Sequence, residues 1–538
     1  MKKLKLFSLC VLSSSFLVLV SCGGGNTKKG GGSSKTTSLT GWKPNDQKGW
    51  FFSKREKKQK GQPGMVFVQG GTFTMGLVKD DVMHDWNNTP RRMQVSSFFI
   101  GETEVTNYDY RNYVTWLKFV FPSSDPNFKD IYSGALPDTL VWNNELSRND
   151  YSETYFRSPG FDNYPVVGVS WLQANRYCEW LTDRVGERIL MDQGVISKDL
   201  YTNESNNQGQ SSFTLDKYKA NDPEMQSYIN EQRLKQRSGI KTTNSRILAA
   251  NRDATSGIVT KYRLPTEVEW EFAALGLQKN REYNLYTGKT PEMDKLRGNK
   301  GRNRGMFLEN FKYGRGDYSG PAGWNNDGAP TTADVRQYPS NDLGIYGMYG
   351  NVAEWTADVY RPIIDDEASD FNYYRGNIYK QVVKNSDGTF SKVDGNNIKY
   401  DTLADGRRVY RGLPGQYERE VTNDKRNFRD GDFISSLGVG NGRELDSASS
   451  KEFNMYNSTK KRFFVDAKGK VILEKDKKFR TSNVSNSSRV VKGGSWKDTA
   501  YWLDPGQRRY RDEARAYGWV GFRVAQDAKD NMNKRSKR

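Results

Sequence analysis

The chain's first apolar run, Leu6–Val20, follows Lys2, Lys3 and Lys5. A basic start before a run shorter than the ~20 residues that span a bilayer predicts a secretory signal over residues 1–21, not a membrane helix. Regular patterning resumes at Met65. MVFVQGGTFTMG alternates apolar and polar residues around Gly70-Gly71 and predicts a β-hairpin. RRMQVSSFFIGETEVTNYDYRNYVTWL predicts a strand and then a helix, with Thr106 as N-cap and Tyr110, Tyr113, Val114 and Leu117 at helical spacing. PVVGVSWLQANRYCEWL repeats the arrangement, with a strand over Val166–Val169 and a helix from Trp171. In YRLPTEVEWEFAALG, Thr266 followed by Glu269 is a capping box that opens a third helix. RVVKGGSWKD and GWVGFRVAQD predict one closing strand each. SNDLGIYGMYGNVAEWTAD, residues 340–358, carries neither period.

Between these segments lie two long polar stretches, 184–258 and 361–488, rich in Asn, Ser, Lys and Gly and weakly periodic. They are expected to be insertions in a folded domain spanning 65–526. Residues 22–64 begin as a Gly/Ser/Lys tether that composition makes flexible. Residues 527–538 form a basic tail.

Composition narrows the function. Hydrophobic residues are only 35% of the chain, yet aromatics reach 13%, which points to a loop-rich fold with aromatic packing and not to a helical bundle. The formal charge is +19, from 83 basic and 64 acidic residues. The basic residues are scattered and match no nucleic-acid motif, so an acidic protein partner or a membrane surface is expected and nucleic acid is not. His84 is the only histidine, which excludes two-His metal sites. Cys10, Cys22 and Cys178 form no CxxC and no disulfide framework. Cys178 falls beside Tyr177 and Leu181 on the second helix and reads as a buried structural cysteine.

Leu19-Val20-Ser21-Cys22 resembles a bacterial lipobox. That resemblance implies cleavage before Cys22 and a diacylglycerol lipid on its sulfur. No acidic pair follows the cysteine, which favours the periplasmic face of the outer membrane.

Seven phrases, FVQGGTFTMG, ETEVTNYDY, PVVGVSW, YRLPTEVEWEFAA, NDLGIYGMYGNVAEWTAD, RVVKGGSW and GFRVA, resemble the formylglycine-generating-enzyme/sulfatase-modifying-factor family, in that family's order. The resemblance implies the formylglycine-generating-enzyme fold, an α+β body with low regular secondary structure, related to C-type lectins. It also implies a calcium loop, with Asn351 and Glu354 as side-chain ligands and Gly350 or Val352 carbonyls assisting. A second calcium site would use Asn310 and Asp327. The family's enzymes bind copper through two cysteines after GGS[WY]. Here an ungapped match places Asp498 and Leu503 at those positions, and no cysteine follows Cys178. Thiolates select Cu(I), while carboxylate and hydrocarbon do not, so no copper and no catalytic residues are expected.

Within the family, lipobox, tether, fold and missing cysteines together resemble the gliding-motility and type IX secretion lipoproteins of the GldJ type. That resemblance implies a non-catalytic lipoprotein of the outer membrane's inner leaflet. It would stabilise a periplasmic ring built from GldK/PorK and GldN/PorN type proteins. Phe371, Tyr373, Tyr374 and Tyr379 in the second insertion are the candidate partner contacts. Two alternatives stay open: an enzyme rebuilt on carboxylates such as Asp498, Asp504 and Asp512, and a glycan-binding aromatic face.

Overall fold

In the computed structural model, the described residues are 61–76, 88, 90–143, 151–196, 213–220, 222, 229–230, 260–276, 307–312, 329–360, 379–422, 463–465, 471–473 and 487–528. All lie in one unit, Gln59–Asp530. Cys22, His84, Asp327, Phe371, Tyr373 and Tyr374 lie outside the described residues. Among the described residues no helix is long and apolar enough to cross a membrane.

Strands β1 (Met65–Val68), β2 (Gly71–Met75), β3 (Arg91–Val95) and β4 (Phe98–Gly101) come first. The expected hairpin at Gly70-Gly71 does not form. β1 instead pairs antiparallel with β4, and β2 pairs with β3. Gly70 lies so close to the Val95–Ser97 backbone that a Cβ there would overlap it. The chain therefore crosses between two sheets at this glycine and does not turn back on itself.

Helix α1 (Asn107–Val120) has the capping box the sequence predicts, with Thr106 accepting from the Asp109 amide. Tyr110, Tyr113, Val114 and Leu117 are buried along one face. Helix α2 (Trp171–Asp192) starts at a second capping box, Ser170 with Gln173. It runs on through Asp192, so the polar residues from 184 onward begin as helix. The strand expected over Val166–Val169 is absent. Gly168 adopts a positive φ of 74°. The backbone bonds here go to scattered partners, Val166 N–H to the Val105 carbonyl and Gly168 N–H to the Tyr517 carbonyl. Strand β5 (Tyr262–Arg263) leads into helix α3 (Glu267–Leu275), whose cap is Thr266 with Glu269.

Strand β6 (Ala353–Val359) is the principal surprise. It lies within the stretch that showed no period, and all seven residues are buried. After it come β7 (Tyr379–Val382), β8 (Tyr400–Thr402), β9 (Arg408–Tyr410) and β10 (Arg419–Thr422). The later strands are β11 (Phe463–Val465), β12 (Val471–Leu473), β13 (Ser488–Lys492), β14 (Arg509–Asp512), β15 (Val520–Gly521) and β16 (Ala525–Asp527). Two four-stranded sheets form the frame, in the orders β1-β4-β16-β5 and β14-β13-β6-β15. Only the β15–β6 pairing in them is parallel. The closing phrase GWVGFRVAQD thus splits into two short strands, one for each sheet.

One core cluster joins α1, α2 and the second sheet through Tyr110, Tyr177, Trp355, Val491 and Phe522. Another lies under α3 and β2–β3, through Phe73, Met93, Trp270, Phe272 and Leu503. Part of the second polar stretch docks on the body. The Tyr410 and Tyr113 hydroxyls are 2.6 Å apart, and Arg407 donates to the Ser133 and Leu136 carbonyls.

Candidate functional site

Strand β6 explains why the Gly-Asn-x-x-Glu-Trp phrase is so polar. Its alternation is that of a strand, but both faces are buried. Ala353, Trp355 and Ala357 join the core cluster of α1 and α2, and Val359 is buried. Glu354, Thr356 and Asp358 each meet a fixed partner. Arg523 grips Glu354 with two nitrogens at 2.6 Å, and Trp270 Nε1 donates to Glu354 Oε2 at 2.8 Å. The Thr356 hydroxyl donates to the Val490 carbonyl, and Asp358 accepts from the Glu267 amide at 2.6 Å.

The charged layer continues into α3. Arg508 donates to Glu267 from Nε at 2.7 Å and from Nη2 at 3.0 Å. Lys492 lies 2.9 Å from Glu271, and both are fully buried. Burial alone would raise the Glu267 pKa, but Arg508 and Lys492 hold it below the usual carboxylate range. Cations of the closing segment, residues 488–527, thus bind carboxylates of α3 and β6 inside the fold. In the closing segment Arg508, Arg509 and Arg523 are buried and ion-paired, not surface charges.

Just before β6 the chain turns at Gly350-Asn351. Asn351 has φ 68°, the left-handed conformation that Asn tolerates better than most residues. Gly350 is pressed against Asn310, whose carbonyl oxygen would sit 2.6 Å from an added Cβ. The Asn351 amide donates to that carbonyl at 2.9 Å. Asn351 Oδ1 accepts from the Ala333 amide at 2.8 Å and from Asn310 Nδ2 at 3.3 Å. Its Nδ2 donates to Glu104 Oε1 at 3.1 Å. The Gly350 backbone bonds to Glu309. Glu104 and Glu309 gather here from distant segments, and sequence reasoning singled out neither. Burial pushes Glu104 up to about 8, against the opposing pull of Arg523. Burial and then Glu104 raise Glu309 well above its ordinary value.

The structure brings Asn310, Gly350, Asn351 and Val352 together but separates Glu354 from the group chemically. Both Glu354 oxygens are engaged by a guanidinium, and a calcium ion there would face Arg523. Asn351 Oδ1 likewise accepts from two N–H groups, so of the side-chain oxygens named by the resemblance and described here only Asn310 Oδ1 is without a hydrogen-bond partner. Among the described residues no three of His, Cys, Asp or Glu group as a metal site.

The segment after GGSW fits no copper thiolate pair. Asp498 accepts from Arg509 Nη1 at 2.8 Å, from Nη2 at 2.6 Å, and from the Ser495 hydroxyl. The Arg509 guanidinium stacks between Trp502 at 4.7 Å and Trp519 at 4.3 Å. Leu503 is packed in the core. Asp504 accepts from the Gly506 amide and Asp512 from the Ala514 amide, each in its own turn. Asp498, Asp504 and Asp512 thus have separate partners, as a rebuilt carboxylate centre would not. Cys178 is buried, and burial raises its thiol pKa far above the ordinary value, so it is not a reactive thiolate.

A cleft of about 1570 Å³ opens elsewhere, between α2, β5 and the docked part of the second polar stretch. Its charged walls pair with each other, as in Arg411–Asp401 and Arg419–Asp216. Tyr379 begins β7.

Fold and motifs define a mixed α+β domain with a polar interior, and comparison with known proteins identifies its class. The Sulfatase-modifying factor enzyme 1-like domain profile matches residues 52–409, more than half of the chain, and the chain belongs to that family. It is 22% identical over 312 residues to the formylglycine-generating enzyme of Mus musculus, covering 55% of this chain and 58% of that protein. The chain thus spans little more than half of that relative. It is 25% identical over 318 residues to the inactive C-alpha-formylglycine-generating enzyme 2 of Bos taurus, covering 56% of this chain and 73% of the relative. PvdO from Pseudomonas aeruginosa aligns over 86% of this chain and 94% of its own, at 13% identity and a TM-score of 0.34, too low to bear on function.

Proposed function

We propose that this chain is a non-catalytic member of its family, a lipid-anchored scaffold of the type IX secretion and gliding machinery. The observation that carries the non-catalytic part is the Asp498–Arg509 ion pair, clamped between Trp502 and Trp519 where the enzymes need a thiolate. An inactive relative in the same family supports it. The location rests on the signal-like start and Cys22. A diacylglycerol on Cys22 and the tether behind it confine the domain to the inner leaflet of the outer membrane. Confinement to one surface raises the effective concentration for assembly without new contacts.

The GldJ-type role follows from that combination. The domain would stabilise the periplasmic ring of GldK/PorK and GldN/PorN type proteins, through the cleft face or the aromatics 371–379. Calcium held near Asn351 would be structural. The test is affinity capture of the tagged lipoprotein from detergent-solubilised envelopes, with crosslinking and mass spectrometry. Ring proteins should be recovered with the wild type and reduced severalfold with Cys22→Ala. Recovery of no ring protein from the wild type, or peptide-thiol oxidation by the purified chain, would overturn the reading.

A further inference from the structure

Arg508, Arg509 and Arg523 each grip a carboxylate, but two other arginines of the closing segment do not. Arg511 donates from Nη1 to the neighbouring Tyr510 carbonyl at 2.8 Å, and among the described residues neither Arg511 nor Arg515 has an ion-pair partner. The carboxylates around them are committed. Arg509 holds both oxygens of Asp498, Arg489 holds Glu513, and Asp512 accepts from the Ala514 amide and the Ser487 hydroxyl. Burial and then the Arg509 charge push the Arg511 guanidinium below its ordinary value, and Asp498 does not make up the difference. Aromatic rings hold the two cations instead. The Trp519 ring lies 4.3 Å from the Arg509 guanidinium and 4.9 Å from that of Arg511. The Tyr517 ring lies 5.6 Å from Arg511 and 5.7 Å from Arg515. Trp502, Arg511, Tyr517 and Trp519 are half-buried, and Arg515 is exposed. Arginines and rings thus alternate from the buried Asp498–Arg509 pair out to solvent.

We infer that this face docks an acidic segment of a partner protein, with carboxylates on Arg511 and Arg515 and the segment's apolar groups on Trp502, Tyr517 and Trp519. Charge sets the sign of the partner, since both cations lack a counter-ion within the fold. A guanidinium takes a carboxylate on two parallel N–H bonds, and stacking on a ring fixes its plane beforehand, so less freedom is lost on binding. Arg, Tyr and Trp are also the residues that most often anchor protein interfaces. A phosphate or a lipid headgroup would use the cations but leave the three rings without a role. The inference names a surface and the chemistry it accepts, and it stands or falls apart from the secretion role.

The test is fluorescence anisotropy of a labelled peptide of alternating Glu and Ala, titrated with the purified full chain. The wild type should bind it and should not bind the matching Gln and Ala peptide. Arg511→Gln/Arg515→Gln should weaken binding by about tenfold, with the thermal midpoint unchanged because no ion pair is broken. Arg336→Gln/Arg408→Gln removes the same charge from exposed arginines elsewhere and should bind as the wild type does. Should the first double variant fail to fold, Arg515→Gln alone, at an exposed position, should still weaken binding severalfold. Equal loss in both double variants would reduce the effect to net charge and overturn the inference. So would equal affinity in the wild type and the Arg511/Arg515 variant. Binding of phosphatidylglycerol vesicles by a wild type that ignores the peptide would overturn it in favour of a membrane surface.

Discussion

Glu354 is fixed by two charged contacts and one indole N–H, all out of water. Removing its charge leaves Arg523 buried with no carboxylate, and such losses cost about 3–5 kcal/mol. Glu354→Gln should therefore lower the urea midpoint strongly. The double variant Glu354→Leu/Arg523→Met should recover much of that loss, because a buried pair replaced by apolar groups is often near neutral. Equal destabilisation by the single and double variants would show that the pair is not the cause. At this scale the sequence was informative about absences. Asp498 and Leu503 could be seen to lack sulfur, and Cys178 could be placed among apolar neighbours. It gave no sign that Arg509 would occupy Asp498, or that Glu104 and Glu309 would meet, because those partners lie far apart in the chain.

Helices and strands differed in how plainly they announced themselves. The helices were legible because their signals are local: Thr106 and Thr266 each cap the helix that follows, and Tyr110, Tyr113, Val114 and Leu117 share the buried face of α1. Thr266→Ala removes a buried cap and should cost ~1 kcal/mol in chemical denaturation, with Thr266→Ser losing far less. Strand β6 was not legible. Its polar face is buried against Arg523, Trp270 and the Glu267 amide, so its Glu, Thr and Asp resemble loop residues. The β1–β2 hairpin was misread for the converse reason, since alternation and a Gly pair look the same whether strands pair with each other or with β4 and β3.

A pH effect also belongs to an element. Asp183, on α2, accepts from the Leu215 amide at 2.9 Å and tethers the first polar stretch. Burial raises its pKa to about 7, with Arg184 opposing. A carboxyl raised in the folded state holds its proton there longer than in the unfolded chain. Its contribution to stability is present below pH ~4 and is lost as pH rises through ~7. Asp183→Asn keeps the acceptor and should flatten thermal stability between pH 4.5 and 7.5. An unchanged slope in that variant would assign the dependence elsewhere.

Over the whole molecule, the chain closes late. The family profile ends at residue 409, yet residues 488–527 supply β13, β14, β15 and β16. β16 sits between β4 and β5, and β13 sits between β6 and β14. The same residues bring in Lys492, Arg508 and Arg523, the cations that neutralise Glu271, Glu267 and Glu354. A chain stopped after residue 422 would keep those three carboxylates in the interior without their cations and leave β4, β5 and β6 without central partners. It should be insoluble or lack cooperative unfolding, whereas a chain ending at Ala528 should melt as the full chain does. The comparison is a pair of thermal melts by near-ultraviolet circular dichroism. A cooperative transition in the shorter chain would mean that residues 1–422 fold without the rest and that the closing strands only decorate a finished body. The buried charge layer argues otherwise: its negative half lies on α3 and β6 and its positive half on the closing segment 488–527, so neither half can be desolvated before the other arrives.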